Sequence, residues 1–380
     1  MLTDLPLEIL ESILILCDPQ DISRTAQTCQ FFRCLMYRSL DEAIWRENLT
    51  KTLDDPRQCS GLLGEERPFV SWRKEVQRIT RAGSLIKRMS IGRPGELADV
   101  LQTLLDLVTY TAITPGPSNG HCLSKNRAEV RALLDNGWID FVKGEAQSLS
   151  PKEWQLLNRL HTYYGLTPDD ISSKPARAVS RSYVYNMRNY TWDNEFGPYD
   201  DDGNVNWVHV NAIRHLVAAH LVSIDIVGDA DPFPAIKPSP EKHNSLSLPY
   251  IQPRSPADIG CSNENDWAGV EGRWVVAFCF CDHSHLLVFN QFIDRRGFPE
   301  DTTMFELDEF QEVFRLMRVN IRITSTEHDP KNPAKPTLYF AGAMADLNNS
   351  VMTGNVKMTK DGNVRWRFVC PVCQHLFHRP

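Results

Sequence analysis

Apolar residues fall at Leu5, Leu7, Ile9, Leu10, Ile13, Leu14 and Leu16, a spacing of three and four that predicts a helix at the start of the chain. Asp4 is placed to cap it, Pro6 suits a first turn where a missing N–H costs nothing, and Glu8 sits near the positive end of the helix dipole. At about 100° per residue, Leu5, Ile9, Leu10, Ile13, Leu14, Leu16 and Cys17 fan over roughly 180°, wider than the ~100° stripe that one core needs. Two surfaces compete for this helix, and the second points to a partner protein.

Pro19-Gln20-Asp21 breaks the chain and caps a second helical stretch from Ile22 to about Cys29, followed by Phe31, Phe32, Leu35, Met36 and Leu40 and closed by Ile44-Trp45. Three short helices in a unit this small bury too little to be stable alone, and a partner would complete the core. Further on, Phe69, Trp72 and Val76 keep a helical spacing. A second helix runs from Glu96 through Leu97, Val100, Leu101, Leu104, Leu105 and Val108 until Pro115-Gly116-Pro117 stops it. Helices are also expected over Arg127 to Leu134, Pro151 to Tyr164 and Val208 to Leu221, so the middle of the chain is mostly α. Between Gly228 and Asp266 come prolines 232, 234, 238, 240, 249, 253 and 256, the composition of a linker.

Past this stretch the period changes to two. Trp274 and Val276, then Leu286-Leu287-Val288-Phe289, then Met317, Val319, Ile321 and Ile323 alternating with Arg318, Asn320 and Arg322, predict half-buried strands. The clearest hairpin turns at Asp361-Gly362, with Val356, Met358, Val364, Trp366 and Phe368 on one side and Lys357, Arg365 and Arg367 on the other. The fold class expected is α+β: an N-terminal three-helix unit over 1–49, a helical middle over 50–227, a proline-rich linker over 228–265, an antiparallel β-barrel over 266–369 and a tail over 370–380.

Leu5-Pro6-Leu7-Glu8-Ile9-Leu10, Asp18-Pro19, Cys29-Gln30-Phe31-Phe32 and Trp45-Arg46 follow, in order and without gaps, the pattern that opens F-box proteins, which the first 45 or so residues therefore resemble. In that family the motif docks on the Skp adaptor of a Skp-cullin-F-box ubiquitin ligase. The resemblance implies that Leu5, Pro6, Ile9, Leu10 and Ile13, with Phe31 and Trp45, bind Skp. Less specifically, Asp266-Trp267 to Arg273-Trp274, Tyr339-Phe340-Ala341-Gly342 and Asp361-Gly362 to Arg365-Trp366 look like the β-barrel of fungal F-box proteins related to the cyclin-D-binding F-box family, as do Arg188 to Thr191 and Asn206-Trp207. There the barrel recognises the substrate, and its Gly-x-Trp opening is also similar to that of lipocalins. The family's barrel adds strands after this hairpin whereas the present chain ends at Pro380, so the barrel is expected to be incomplete.

Composition narrows the partners. The chain has 380 residues, 42% apolar and 23% charged, and a net charge of -7, so it is an ordinary globular protein without the clustered basic footprint of a nucleic-acid binder. Neither a membrane-spanning run nor a signal peptide is present, and ten cysteines scattered through apolar stretches suit a reducing compartment, the cytoplasm or nucleus. No nucleic-acid or membrane partner is expected.

Cys370, Cys373, His375 and His378 are zinc-ligand types, but they are packed too closely to wrap a tetrahedron in the usual way. Cys279, Cys281, His283 and His285 would share one face of a strand, a geometry open to a metal or a thiol–base pair, although small core cysteines explain them as well. Asp200-Asp201-Asp202 with Gly203 and Asn204 lacks the spaced ligands of a calcium loop and reads as a solvated turn. Phosphate-binding glycine loops, nucleophile elbows and His-Glu-x-x-His are absent. The resulting expectation is a non-catalytic adaptor with no cofactor or metal, joining Skp and cullin to an unidentified protein substrate through the barrel. Two readings stand against it: a lipocalin-like container for a small apolar ligand whose F-box controls its own turnover, and an enzyme or metal site at Cys279 to His285.

Overall fold

In a computed structural model of the chain, residues 5–38, 42–61, 63–112, 124–223, 265–299, 301–307, 309–344 and 351–369 are described. The Asp4 cap, nearly all of the proline-rich stretch and the 370–380 tail lie outside them. Contacts gather the described residues into two compact units, 5–167 and 168–369, so the helical middle is shared between the two.

The first unit opens with α1 (Leu7–Leu16), α2 (Pro19–Ala26), α3 (Gln30–Tyr37) and α4 (Ala43–Thr52). Pro6 stands at the N-cap of α1 in an extended conformation, and Pro19 takes the first turn of α2, which therefore begins three residues before the expected Ile22. A Cys29 in extended backbone ends that stretch and launches α3. Trp45 of α4 is buried against the Tyr37 ring and donates its indole N–H to the Met36 carbonyl at 2.7 Å. Asn48 donates to the Cys17 carbonyl at 2.8 Å, satisfying an acceptor that the C-terminus of α1 leaves without a helical donor.

The ribbon strands β1 (Cys59–Ser60) and β2 (Thr111–Ala112) pair around α5 (Trp72–Lys87) and α6 (Glu96–Thr109), and α7 (Lys125–Leu134), α8 (Trp138–Gly144) and α9 (Pro151–Tyr164) follow. Ser150 and Glu153 cap α9 reciprocally behind Pro151, which explains why this helix begins where the sequence puts it. Leu101, Leu104, Leu105 and Val108 of α6 are fully buried in the core that also holds Leu10, Leu14 and Trp45. The chain after α4 is fastened to α7 by the Asp54 carboxylate, which accepts from the Ser124 hydroxyl and from Lys125 N, while Asp54 N donates to Asn126 Oδ1 at 3.0 Å.

The second unit holds α10 (Pro168–Ser172), α11 (Lys174–Val184) and α12 (Trp207–Ser223). Then come β3 (Gly272–Cys281), α13 (His283–Gln291), β4 (Glu312–Glu327), β5 (Thr337–Met344), β6 (Val351–Met358) and β7 (Val364–Val369). The five strands form one antiparallel sheet in sequence order, with β3 and β7 as its edges. The α+β class and the antiparallel sheet follow the expectation. Among the described residues, however, the barrel is not closed, although the Trp274 and Trp366 rings from the two edge strands meet at 5.2 Å.

One face of the sheet carries Val319, Ile321, Leu338, Phe340, Met352 and Val356 as a buried core, with Trp267 and Trp366 against it. The predicted alternation of β4 and the Asp361-Gly362 hairpin are both found: Val356 pairs with Trp366 and Met358 with Val364 across the turn. Gly362 takes the positive φ that the turn needs. The expected strand over Leu286 to Phe289 is instead α13. Asp282 caps it by accepting from Ser284 N at 2.9 Å, and a run of four apolar residues suits a buried strand or a helix equally. Phe280 of β3 is 49% exposed, so this strand is not buried on both faces.

At Gly354 a Cβ would collide with the Arg367 carbonyl oxygen and meet Phe340 Cζ at 2.7 Å and Phe368 Cα at 2.9 Å. Gly354→Ala is therefore expected to push β7 away from β6 and destabilise the protein by about 1–3 kcal/mol, read as a lower urea midpoint.

Candidate functional site

The N-terminal unit presents an apolar face that no described residue covers. Leu5, Leu7, Ile9, Ile13 and Leu16 of α1 and its approach, and Phe31 of α3, are all exposed, Leu16 to 73%. Ile9, Ile13 and Leu16 succeed one another at four and three residues and so share a side of the helix. Leu10 and Leu14, one position further round, point into the core. The wide fan of apolar residues in α1 thus resolves into two faces, one inside and one out.

Of the residues expected at a partner interface, Leu5, Pro6, Ile9, Ile13 and Phe31 are exposed. Leu10 and Trp45 are each only 2% exposed. Those two hold up the face from beneath and do not form it. A groove of about 980 Å³ lies between α2 and α3, lined by Ala26, Gln27, Cys29, Gln30 and Arg33 and by none of the exposed apolar residues. Leu7 and Leu16 belong to the exposed set as well, and their signal in the sequence is the same overfull fan.

The Cys279–His285 cluster is not brought together on one strand. Cys279 and Cys281 lie on β3, but His283 and His285 lie on α13, where the His285 ring stacks on Phe310. Burial, helped by the negative charge of Glu312, pushes the Cys279 thiol up to about 12 and the Cys281 thiol up to about 11. Both are protonated thiols at neutral pH rather than nucleophiles. The Asp200 to Asp202 segment is a turn: the Asp200 carboxylate accepts from Asp202 N and Asn204 N, and Asp201 pairs with Arg296 at 2.6 Å.

A polar hub that no local pattern announces lies where α11 and α12 meet the sheet. Glu312, at the start of β4, accepts from Arg181 at 2.7 Å, from His220 at 2.6 Å and, on its other oxygen, from the Tyr185 hydroxyl at 2.6 Å. Burial alone would raise the Glu312 carboxyl. The hydrogen bonds from His220 and Tyr185 and the Arg181 charge instead hold it down to about 2. His220, Cys279 and Glu312 offer three possible ligand atoms within 4.8 Å of one another. A cation there would have to sit against the Arg181 guanidinium and displace bonds the carboxylate already has, so the donor set fits a lock between elements better than a metal site.

Asp170, Ser180 and His215, all buried, combine the residue types of a hydrolytic triad. Ser180 Oγ and Asp170 Oδ1 both face the same ring nitrogen, Nδ1 of His215, at 2.8 and 3.8 Å, which is not the geometry of a relay.

A knuckle over 190–199 also stands out. Trp192 is 83% exposed and packs edge-on to Phe196, with ring centroids 4.7 Å apart. Glu195 and Phe196 are consecutive non-glycine residues with φ of +51° and +56°, held there by the Arg365–Glu195 pair at 2.6 Å. The neighbouring Asn189 and Tyr190 are structural: Asn189 bridges the Tyr183 carbonyl and Gly297 N, and Tyr190 bonds the Val184 carbonyl.

Residues 2–39 match the model of the F-box domain family. The chain matches no curated protein and no solved structure. The F-box resemblance is therefore supported by a second comparison, while neither the fungal relatives nor the cyclin-D-binding family gains support. No described helix is long and apolar enough to cross a membrane.

The hub sets a pH dependence. Because the Glu312 carboxyl is depressed from 4.5 to about 2 on folding, the unfolded chain binds the extra proton, so this stabilisation is complete above about pH 5 and disappears as pH falls toward 2. Glu312→Gln, which leaves Arg181 without its counter-charge, should lower stability at pH 7 by about 3 kcal/mol and flatten the acid limb of a plot of stability against pH. Urea unfolding across pH checks both.

Proposed function

We propose that this protein is a substrate-receptor subunit of a Skp-cullin-F-box ubiquitin ligase, a non-catalytic adaptor that holds Skp through its first helices and a protein substrate through its second unit. The observation that carries the reading is the coincidence of the F-box match at 2–39 with an exposed apolar face on α1 and α3. Monomeric soluble proteins rarely leave so contiguous an apolar patch open, and each such side chain yields about 1.5–3 kcal/mol when fully buried. Leu5, Pro6, Ile9, Ile13 and Phe31, joined by Leu7 and Leu16, are the residues that would enter the Skp interface, with Leu10 and Trp45 fixing the helix beneath them.

The mechanism is proximity. Skp and cullin tie the receptor to a charged ubiquitin-conjugating enzyme, and a substrate held on the same scaffold presents its lysine at a high effective concentration. The chemistry of transfer belongs to the enzyme and not to this chain.

Support for substrate recognition, against the container reading, comes from the inward side of the sheet. Val319, Ile321, Leu338, Phe340, Met352 and Val356 fill that side, and the Phe340 and Trp366 rings lie 5.5 Å apart, which leaves a packed core where a lipocalin would keep a cavity. The likeness of the sheet strands to the barrels of cyclin-D-binding F-box relatives belongs to this same reading.

Ile9→Asp and Ile13→Asp alter exposed positions, so the variants should fold normally, while each weakens Skp capture at least about 30-fold, the ~2 kcal/mol of an interface hot spot. Titration of purified full-length chain against a Skp adaptor reads this, and unchanged affinity in both variants would sink the proposal.

A further inference from the structure

The five-stranded sheet has an outward face whose charge sets it apart from the chain, which carries a net charge of -7. On β4, Arg318, Asn320 and Arg322 alternate with the buried Val319 and Ile321 and so project outward. Across the ladder Asn320 pairs with Arg273 of β3, which places Arg273 diagonally between Arg318 and Arg322. Toward the other edge, Asn355 of β6 pairs with Arg367 of β7 and Lys357 with Arg365. Arg273, Arg318, Arg322, Lys357 and Arg367 are all exposed.

Among the described residues, no carboxylate forms an ion pair with Arg273, Arg322 or Lys357. Arg365 is matched by Glu195 at 2.6 Å, which approaches Arg367 only to 3.9 Å. Glu312 is locked in the hub, and Glu327, bonded to the Tyr339 hydroxyl at 2.5 Å, is the other outward acid on these strands. Like charges at neighbouring positions of one sheet face repel, and folding gains nothing from placing them there.

Between the two groups of cations the face is floored by small and neutral side chains. Arg322 pairs with Ala341, Ala341 with Thr353, and Tyr339 with Asn355. A cavity of about 410 Å³ opens there, lined by Ser325, Tyr339, Ala341, Thr353, Asn355 and Arg367. A bulge between Ile323 and Ser325 displaces Thr324 into its wall.

We propose that this groove binds an acidic, extended peptide segment of the substrate, its carboxylates meeting Arg273 and Arg322 on one side and Arg367 and Lys357 on the other. The occupant follows from charge complementarity: several guanidinium groups flank a floor of small residues wide enough for a main chain. Single-stranded nucleic acid, the other polyanion, is disfavoured because such binding relies on rows of stacking rings, whereas of the rings lining the cavity Phe340 is buried in the core and Phe368 alternates with Arg367 toward the other face, which leaves Tyr339. This site deepens the substrate-receptor reading and rests on it.

The test is fluorescence anisotropy of labelled oligoglutamate titrated with the full chain at low salt, beside oligolysine and oligothymidylate, with Skp capture measured on the same preparations. Oligoglutamate should bind, weaken as salt rises, and lose at least about tenfold in affinity in Arg322→Glu/Arg367→Glu and also in the milder Arg322→Gln/Arg367→Gln. Both variants should capture Skp as the unaltered chain does. No binding of oligoglutamate, equal binding by the variants, or a preference for oligothymidylate would overturn the groove. Failure of every preparation to capture Skp would instead overturn the receptor reading and leave the groove to be judged on the peptide alone.

Discussion

A helix can turn only one side toward its own core, and α1 is apolar on two. Leu10 and Leu14 satisfy the inner side, and Asn48 fixes the end of the helix by bonding the Cys17 carbonyl. Ile9, Ile13 and Leu16 are thereby committed outward, because a rotation that hid them would expose Leu10 and Leu14. The short helices around α1 gain their stability from packing beneath it, through Trp45 and the Asp54 connection to α7. An apolar face held this firmly is preorganised for a partner, which lowers the ordering cost of binding.

The second unit solves a different problem. Its sheet uses one face for an apolar core and the start of the other for the helices, and Glu312 joins the two layers by answering Arg181, His220 and Tyr185 together. A buried carboxylate is costly unless several donors converge on it, and here they come from α11, from the residue that follows it and from α12. Beyond the hub, among the described residues, the outward face carries no helix and turns basic, which is where the proposed groove lies.

How much of this could be read from the chain depends on how local its cause is. The exposed face of α1 is legible because the apolar fan is too wide for one core, yet the fan alone does not say which half is inside, and the F-box resemblance that groups Leu10 and Trp45 with Ile9 and Ile13 does not separate buried from exposed positions either. The hairpin at Asp361-Gly362 and the alternation of β4 were legible because turn chemistry and a period of two are short-range signals. The helix α13 was not, since Leu286 to Phe289 is apolar on every position and the cap at Asp282 decides its state. The hub and the groove were out of reach for a stronger reason: Arg181, His220 and Glu312, like Arg273 and Arg322, become neighbours only through pairing and packing that sequence spacing does not encode.

The central claim is that the outer face of α1 and α3 belongs to a Skp adaptor. Hydrogen–deuterium exchange of the full-length chain with and without the adaptor tests it most directly. The account predicts added protection over residues 5–16 and around Gln30 and Phe31, with exchange in the strands of 272–369 unchanged. Protection confined to the sheet, or none over α1 at saturating adaptor, would contradict it.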